Sequence, residues 1–211
     1  MDWQRGFTRI LTGLVKKFAV ADVLTAYTNH LNWTDISLAR RAILPLWIFA
    51  YGIKIYADFS AYSDIAIGSA RLFGIRVPEN FDWPYLRTNI TDFWRHWHMS
   101  LTNWLIDYIY IPLGGSRGRS GEVYANILVT MLVSGIWHGA GVNFILWGLV
   151  HGILLVIRRG WRRIRPMPAT PPLWSQLGSW VLTYVAVNLA WAFFCMDVHT
   201  ALFFFRRLVI G

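Results

Sequence analysis

A chain of 211 residues that is 55% hydrophobic and 17% aromatic, with a mean hydropathy of +0.39, is far more apolar than an ordinary soluble domain. Its net charge of +9 comes from Lys and Arg in short clusters between apolar segments. That is the pattern of membrane topology, and it excludes nucleic acid as a partner. The single cysteine, Cys195, excludes an intrachain disulfide and a cysteine-based metal site.

The composition is that of an integral membrane protein whose solvent is the lipid bilayer. Thirteen Trp and nine Tyr suit aromatic belts at the headgroup level. Asp2, Trp3 and Gln4 follow Met1 where a signal peptide has a basic patch and a short apolar core, so no signal peptide is expected.

Over residues 7–22 apolar positions recur at helical spacing beside Arg9, Lys16 and Lys17. An amphipathic helix lying in the membrane interface is expected, because lysines are costly at mid-membrane. An ordinary helix that snorkels its lysines stays open beside it. Residues 29–35 read as a polar connector. The apolar run 42–57, broken only by Lys54, predicts a helix that flows on through residues 56–68. There Asp58, Ala61, Tyr62 and Ile65 share a face by three-and-four spacing. Either this stretch is a polar cavity wall, or the helix leaves the membrane with its acids in water.

Gly74, Pro78 and Pro84 turn the chain. One helix is then predicted over 91–108, with Thr91 or Asp92 as its N-cap. On it His98 shares a face with Trp94, Leu101, Thr102 and Leu105, and His96 shares one with Ser100 and Asn103. Its aromatic and charged character predicts a re-entrant or protein-buried helix. Residues 111–121 form a glycine-rich basic loop without the Lys-Ser/Thr of a phosphate-binding loop. It reads as a solvated loop, with contact to a substrate as the other possibility.

Residues 123–157 contain no Asp, Glu, Lys or Arg. A membrane helix needs roughly 20 apolar residues, so this run is expected to make two short passes that meet at Ser134-Gly135-Ile136-Trp137-His138-Gly139-Ala140-Gly141. His138 then sits at the junction, and an ionisable group there is a functional candidate by default. Arg158, Arg159, Arg162, Arg163 and Arg165 are expected to crowd one short loop, cytoplasmic by the positive-inside rule and on the same side as residues 116–121. The His138 junction is then expected toward the far side or inside a funnel opening there. Pro166, Pro168, Pro171 and Pro172 end the basic stretch. A last span is predicted over 173–196, followed by Asp197 and His199 on the outer side and an apolar tail with Arg206 and Arg207. No repeat, low-complexity segment or linker divides the chain, so residues 1–211 read as one membrane-embedded domain with about four to six embedded helices.

His98 and His138 carry the clearest chemistry. Imidazole is the usual general base near neutral pH, able to take a hydroxyl proton during attack on an acyl carbonyl. No Gly-x-Ser-x-Gly is present, and Cys195 has no activating His nearby in sequence, so direct transfer fits better than an acyl-enzyme. His96, His151 and His199 read as hydrogen-bonded interior side chains and His30 as a surface residue. A metal on His96, His98, His138 and Asp92 is disfavoured, because His-x-His spacing suits a strand better than a helix. A solute site in a transporter, built on interrupted helices around 135–141, remains a rival from another class.

Residues 97–101, Trp97-His98-Met99-Ser100-Leu101, are followed by Asp107-Tyr108-Ile109-Tyr110-Ile111-Pro112-Leu113-Gly114-Gly115 and by residues 134–139. Together these resemble the membrane-bound O-acyltransferase family, and residues 56–68 resemble the segment those proteins carry upstream. The resemblance is nearest to the bacterial branch holding alginate O-acetyltransferase and its peptidoglycan-acetylating and teichoic-acid D-alanylating relatives. It implies an all-α polytopic core with the N-terminal part missing, because family members carry further membrane segments before and after the matching stretch. It also implies that His138 and His98 are catalytic, with Trp97, Ser100, Trp137 and Asp58 as substrate-binding residues. No bound cofactor is implied. The implied donor, such as acetyl-CoA or an acyl carrier, arrives from the cytoplasmic side of a bacterial inner membrane. The implied acceptor is a hydroxyl of an envelope polysaccharide such as alginate, or an acyl-accepting partner protein on the outer side. D-alanyl or peptidoglycan acyl transfer and an inert scaffold are the alternatives.

Overall fold

The computed structural model describes residues 3–165 and 171–210. Pro166 and Pro168 lie outside them. The described residues contain helices and turns without a strand, and divide into two compact units: residues 3–81 with 199–210, and residues 82–165 with 171–198. The all-α expectation holds.

In the first unit, α1 (Trp3–Val15) runs into a π-helical stretch (Lys16–Ala21) and then α2 (Asp22–Thr28). All three pack on α4 (Leu44–Leu72), a 29-residue helix that opens with a proline in its first turn, where no amide partner is lost. What ties them together is charge. The side chain of Asp64 is only 5% exposed, and it accepts from Arg9 Nε at 2.5 Å and Lys16 Nζ at 2.7 Å. Arg9 also bonds Glu79, while Lys17 Nζ reaches Asp58 and Asp22 at 2.9 Å each. Asp64 is therefore shut away from water by its basic partners, whereas Asp58, 45% exposed, reaches water as well as Lys17. Sequence spacing within one helix does not reveal basic partners contributed by another. Tyr62, on the face expected to be buried, is 70% exposed.

The segment read as a polar connector contains the start of α3 (Trp33–Leu38), because Asn32 accepts the Asp35 amide at 3.0 Å and so caps a helix. Trp33 stacks on Phe203 and His199 of α11 (Val198–Val209), with centroids 3.9 and 4.5 Å apart. His199 is thus an exposed, stacked side chain, not the interior one expected. His30 is on the surface, hydrogen-bonded to Asp35.

In the second unit, α5 (Ile90–His96) and α6 (Met99–Leu105) replace the single helix predicted over 91–108. The cap is Asn89, whose side chain accepts the Asp92 amide at 3.0 Å, and not Thr91 or Asp92. The helix breaks because Trp97 turns inward, 3% exposed, to stack on Phe93 at 5.5 Å and meet Trp191 at 5.1 Å. Helical pattern is a weak prior that tertiary packing overrides. His98 consequently shares no helical face with Trp94 or Leu105. A π-helical turn (Ile106–Tyr110) leads into the glycine-rich loop.

α7 (Ser120–His138) and α8 (Val142–Ile164) form the expected hairpin, closed by residues 139–141. The two backbones nearly touch. A Cβ on Gly135 would lie 2.3 Å from the Phe144 carbonyl oxygen, and one on Gly148 would lie 2.3 Å from that of Met131. Small residues allow such an approach between membrane helices. α8 continues to Ile164, so Arg158, Arg159, Arg162 and Arg163 stand on its last turns and not in a loop. Arginine is a good helix former, and cations are favoured at a helix C-terminus. The final predicted span is α9 (Leu173–Ala190) followed by the short α10 (Ala192–Cys195).

Among the described residues, three helical stretches are long and apolar enough to cross a membrane: Arg41–Leu72, Val142–Ile164 and Leu173–Cys195. Within them only 22–28% of the most apolar window is buried, which leaves most of the surface for lipid. α7, expected to be a pass, forms as a helix but is not one of the three.

Replacing Gly148 by Val forces a side chain into the α7 backbone. The expected loss is about 1–3 kcal/mol or more, read as a drop of several degrees in the thermal midpoint of the detergent-solubilised protein. Gly178→Ala, where a Cβ meets open space, is the control and should not lower the midpoint. Equal midpoints for the two variants would mean that α7 and α8 are not in backbone contact.

Candidate active site

His138 is the last residue of α7, and the chain turns back immediately after it. Its ring is held by the edges and faces of three aromatics: Trp137, Trp147 and Phe194, each with a centroid 5.0 Å away. The interplanar angles of 78–88° are the edge-to-face arrangement that aromatic quadrupoles favour. Among the described residues the His138 ring makes no hydrogen bond, and it is only partly buried. Its nitrogens are therefore open to an incoming group.

His98 arrives from a different direction. Its backbone is left-handed, with φ of 45°, at the N-cap position of α6. For a residue with a Cβ this conformation costs of order 1–2 kcal/mol, and such strain gathers at functional positions. It carries the imidazole against Trp137 at 5.9 Å, on the same indole that His138 meets. Ser100 Oγ lies 3.4 Å from His98 Nδ1, a long hydrogen bond. Burial pushes the His98 imidazole down to about 4, so it is neutral through the physiological range.

The expected pair of histidines is thus brought together around one indole, with Ser100 beside it. Trp97 is close in sequence but faces the core, where it fixes the turn that presents His98. Asp58 belongs to the first unit, where Lys17 holds its carboxylate. His96 points away from His98: its Nδ1 lies 2.6 Å from the Asp92 carbonyl oxygen, as expected of a hydrogen-bonded interior ring. No group of three or more His, Cys, Asp or Glu is placed to hold a metal ion among the described residues.

Sequence reasoning missed the supporting layer. Trp147 and His151 are both fully buried on one face of α8, their rings 4.9 Å apart, and Trp94 Nε1 donates to His151 Nδ1 at 3.3 Å. That bond fixes the neutral tautomer of His151 with its proton on Nε2. The four-residue spacing of Trp147 and His151 was the available signal. Phe194 and Trp191, which complete the cage from the far end of the chain, left no such trace.

The model of the membrane-bound O-acyltransferase family matches residues 7–204, and the chain belongs to that family. It is 42% identical over 191 residues to a probable alginate O-acetylase, AlgI, of Pseudomonas aeruginosa, covering 90% of this chain and 35% of the relative. It is 40% identical over 188 residues to a peptidoglycan O-acetyltransferase of Helicobacter pylori, covering 86% of this chain and 34% of the relative. A teichoic acid D-alanyltransferase of Bacillus subtilis is 25% identical over 206 residues, covering 92% and 49%. The chain spans about a third of the length of the O-acetylating relatives it matches.

The His98 environment gives a pH signature. Its folded value lies below the ordinary imidazole value of 6.5, so the stability of the neutral ring is fully present above 6.5 and is lost as pH falls toward about 4. In histidine-labelled protein, the His98 resonance, assigned by its loss in His98→Gln, should stay constant from pH 8 to 5.5 and shift only nearer 4. A midpoint near 6.5 would mean that the imidazole is solvated.

Proposed function

We propose that the protein is a membrane O-acyltransferase that moves an acetyl group from a cytoplasmic donor to hydroxyls of a cell-envelope polysaccharide of the alginate kind, in a bacterial inner membrane. The observation that carries this is an uncharged pair of imidazoles on one indole, with the His138 ring unbonded and half open. Family membership and the names of the O-acetylating relatives support the reaction class. The donor is an acetyl thioester, either acetyl-CoA or an acylated carrier. The acceptor is the polysaccharide itself or a partner protein on the outer side that relays the acyl group. Residues 1–211 are taken to work as one membrane-embedded domain.

In the proposed reaction His138 accepts the proton of the acceptor hydroxyl as its oxygen attacks the acyl carbonyl. The carbon–sulfur bond of the donor breaks, and the leaving thiolate takes up that proton, which returns His138 to its neutral form. A neutral His98 orients the donor and, when its N–H faces the carbonyl oxygen, stabilises the charge that develops there. Ser100 fixes the His98 ring, and Trp137 forms the shared wall. Trp97 acts through the turn it anchors. The aromatic cage excludes water, so the thioester is passed to the acceptor hydroxyl in preference to hydrolysis.

Changing His138 to Ala in the gene that encodes this chain should lower acetylation of the exopolysaccharide by roughly 10²–10⁴-fold, while membrane insertion of the protein is unchanged. Acetyl content is read by alkaline release from purified polymer. Full acetylation by an inserted His138→Ala protein would remove the catalytic assignment. An inserted wild-type protein that acetylates no polysaccharide but still transports a solute would move the function to another class.

A further inference from the structure

The second unit contains a cavity of about 470 Å³ that neither His98 nor His138 lines. Its charged lining is made of guanidinium groups, Arg158, Arg159, Arg162 and Arg163 from the end of α8 and Arg95 from α5, beside hydroxyls that include Tyr110 and Ser116. No carboxylate is among the described residues that line it. Asp92 stands nearby, 3.5 Å from Arg95. Arg159 Nε is shut away from solvent without a hydrogen-bond acceptor. The opposite wall is apolar, with Leu105, Ile106, Ile127 and Met131.

Two ordinary explanations account for only part of this. Arginines after a membrane helix serve topology, and cations at a helix C-terminus suit its dipole. Either purpose is served by side chains in water, as Arg162, Arg163 and the 68% exposed Arg95 largely are, but not by the partly buried Arg158 and Arg159. Neither explains why arginines of two helices converge on one cavity with an apolar back wall. A buried donor without an acceptor calls for an acceptor from outside the chain. The planar guanidinium fork matches the oxygens of a phosphate. The position fits as well. α8 is one of the three span-capable helices, and its arginines begin where its apolar part ends, at headgroup level.

We propose that this cavity binds a phosphate ester with an apolar tail, and that its occupant is the headgroup of an anionic phospholipid, its phosphates on the arginines and its glycerol and first methylenes against Leu105 and Met131. Basic pockets beside membrane helices are suited to such headgroups. A soluble phosphate ester such as coenzyme A shares the phosphate chemistry. The site stands apart from the histidines, so it does not depend on the acyl-transfer proposal.

The test is lipid binding to the full chain, purified in detergent and followed by native mass spectrometry. Cardiolipin and phosphatidylglycerol are added in turn, with phosphatidylcholine as the neutral control. The double substitution Arg159→Gln/Arg162→Gln should weaken binding of the anionic lipids by about tenfold or more. Arg71→Gln/Arg76→Gln, which removes the same charge from the first unit, should change it less than about twofold. Arg95→Gln, on a different helix, should reproduce the weakening, which guards against a local misfold of α8. Equal loss in the cavity and control variants would reduce the effect to general charge and overturn the site. Displacement of the bound lipid by coenzyme A at low micromolar concentration would assign the cavity to a soluble ester and overturn the lipid occupant.

Discussion

The second unit depends on two glycines. Gly135 and Gly148 let α7 and α8 meet backbone to backbone, at a distance that no side chain survives. Because Met131 and Phe144 supply the opposing carbonyls, the register of the hairpin is fixed within a residue. Register is what brings His138, at the end of α7, over Trp147, one residue before Gly148. A hairpin separated by a layer of leucines would place the same imidazole several ångströms away, and the edge-to-face cage would not close.

The first unit is held by a different force. Apolar packing between its helices is supplemented by an ion network in which one buried carboxylate, Asp64, answers both Arg9 and Lys16. Such a network contributes little net stability compared with apolar side chains of equal size, but removing one partner leaves a buried charge that costs several kcal/mol. Its worth is in geometry. A helix that carries Arg9, Lys16 and Lys17 has few ways to lie on α4 that leave none of the three unpaired. The amphipathic reading of residues 7–22 left out the partners of its basic side chains, which turn to Asp64 and Asp58, while Phe7, Leu11, Val15 and Phe18 stay exposed.

How much was legible can be judged residue by residue. The hairpin was, because a charge-free run of membrane length with glycines at its middle admits few other folds. His98 and His138 were, through the motifs that contain them. The break at Trp97 and His98 was not: the local pattern is helical on both sides, and what stops the helix is the demand of Phe93 and Trp191 for a stacked indole between them. The arginines of α8 were assigned correctly to the end of a membrane segment but wrongly to a loop. Charge density suggested solvent, whereas helix propensity and the C-terminal dipole carry the helix two turns further. At Trp97 a non-local partner decided the outcome, whereas at the arginines of α8 the helix's own propensity did.

Unmet hydrogen-bonding capacity occurs in both units, at Arg207 Nε in the first and at several atoms in the second. In the first, the acids and bases that might react are neutralised by one another. In the second, several buried polar atoms have no partner among the described residues: Ser134 Oγ, Trp147 Nε1, His151 Nε2 and Arg159 Nε. Native interiors hold few such groups, since each costs of order 1–3 kcal/mol. All four lie on α7 or α8, and Ser134, Trp147 and His151 fall within thirteen residues of His138 along the chain. Ser134, Trp147 and His151 are themselves closed to solvent, so this unsatisfied polarity belongs to the packing of α7 on α8 beneath the aromatic cage.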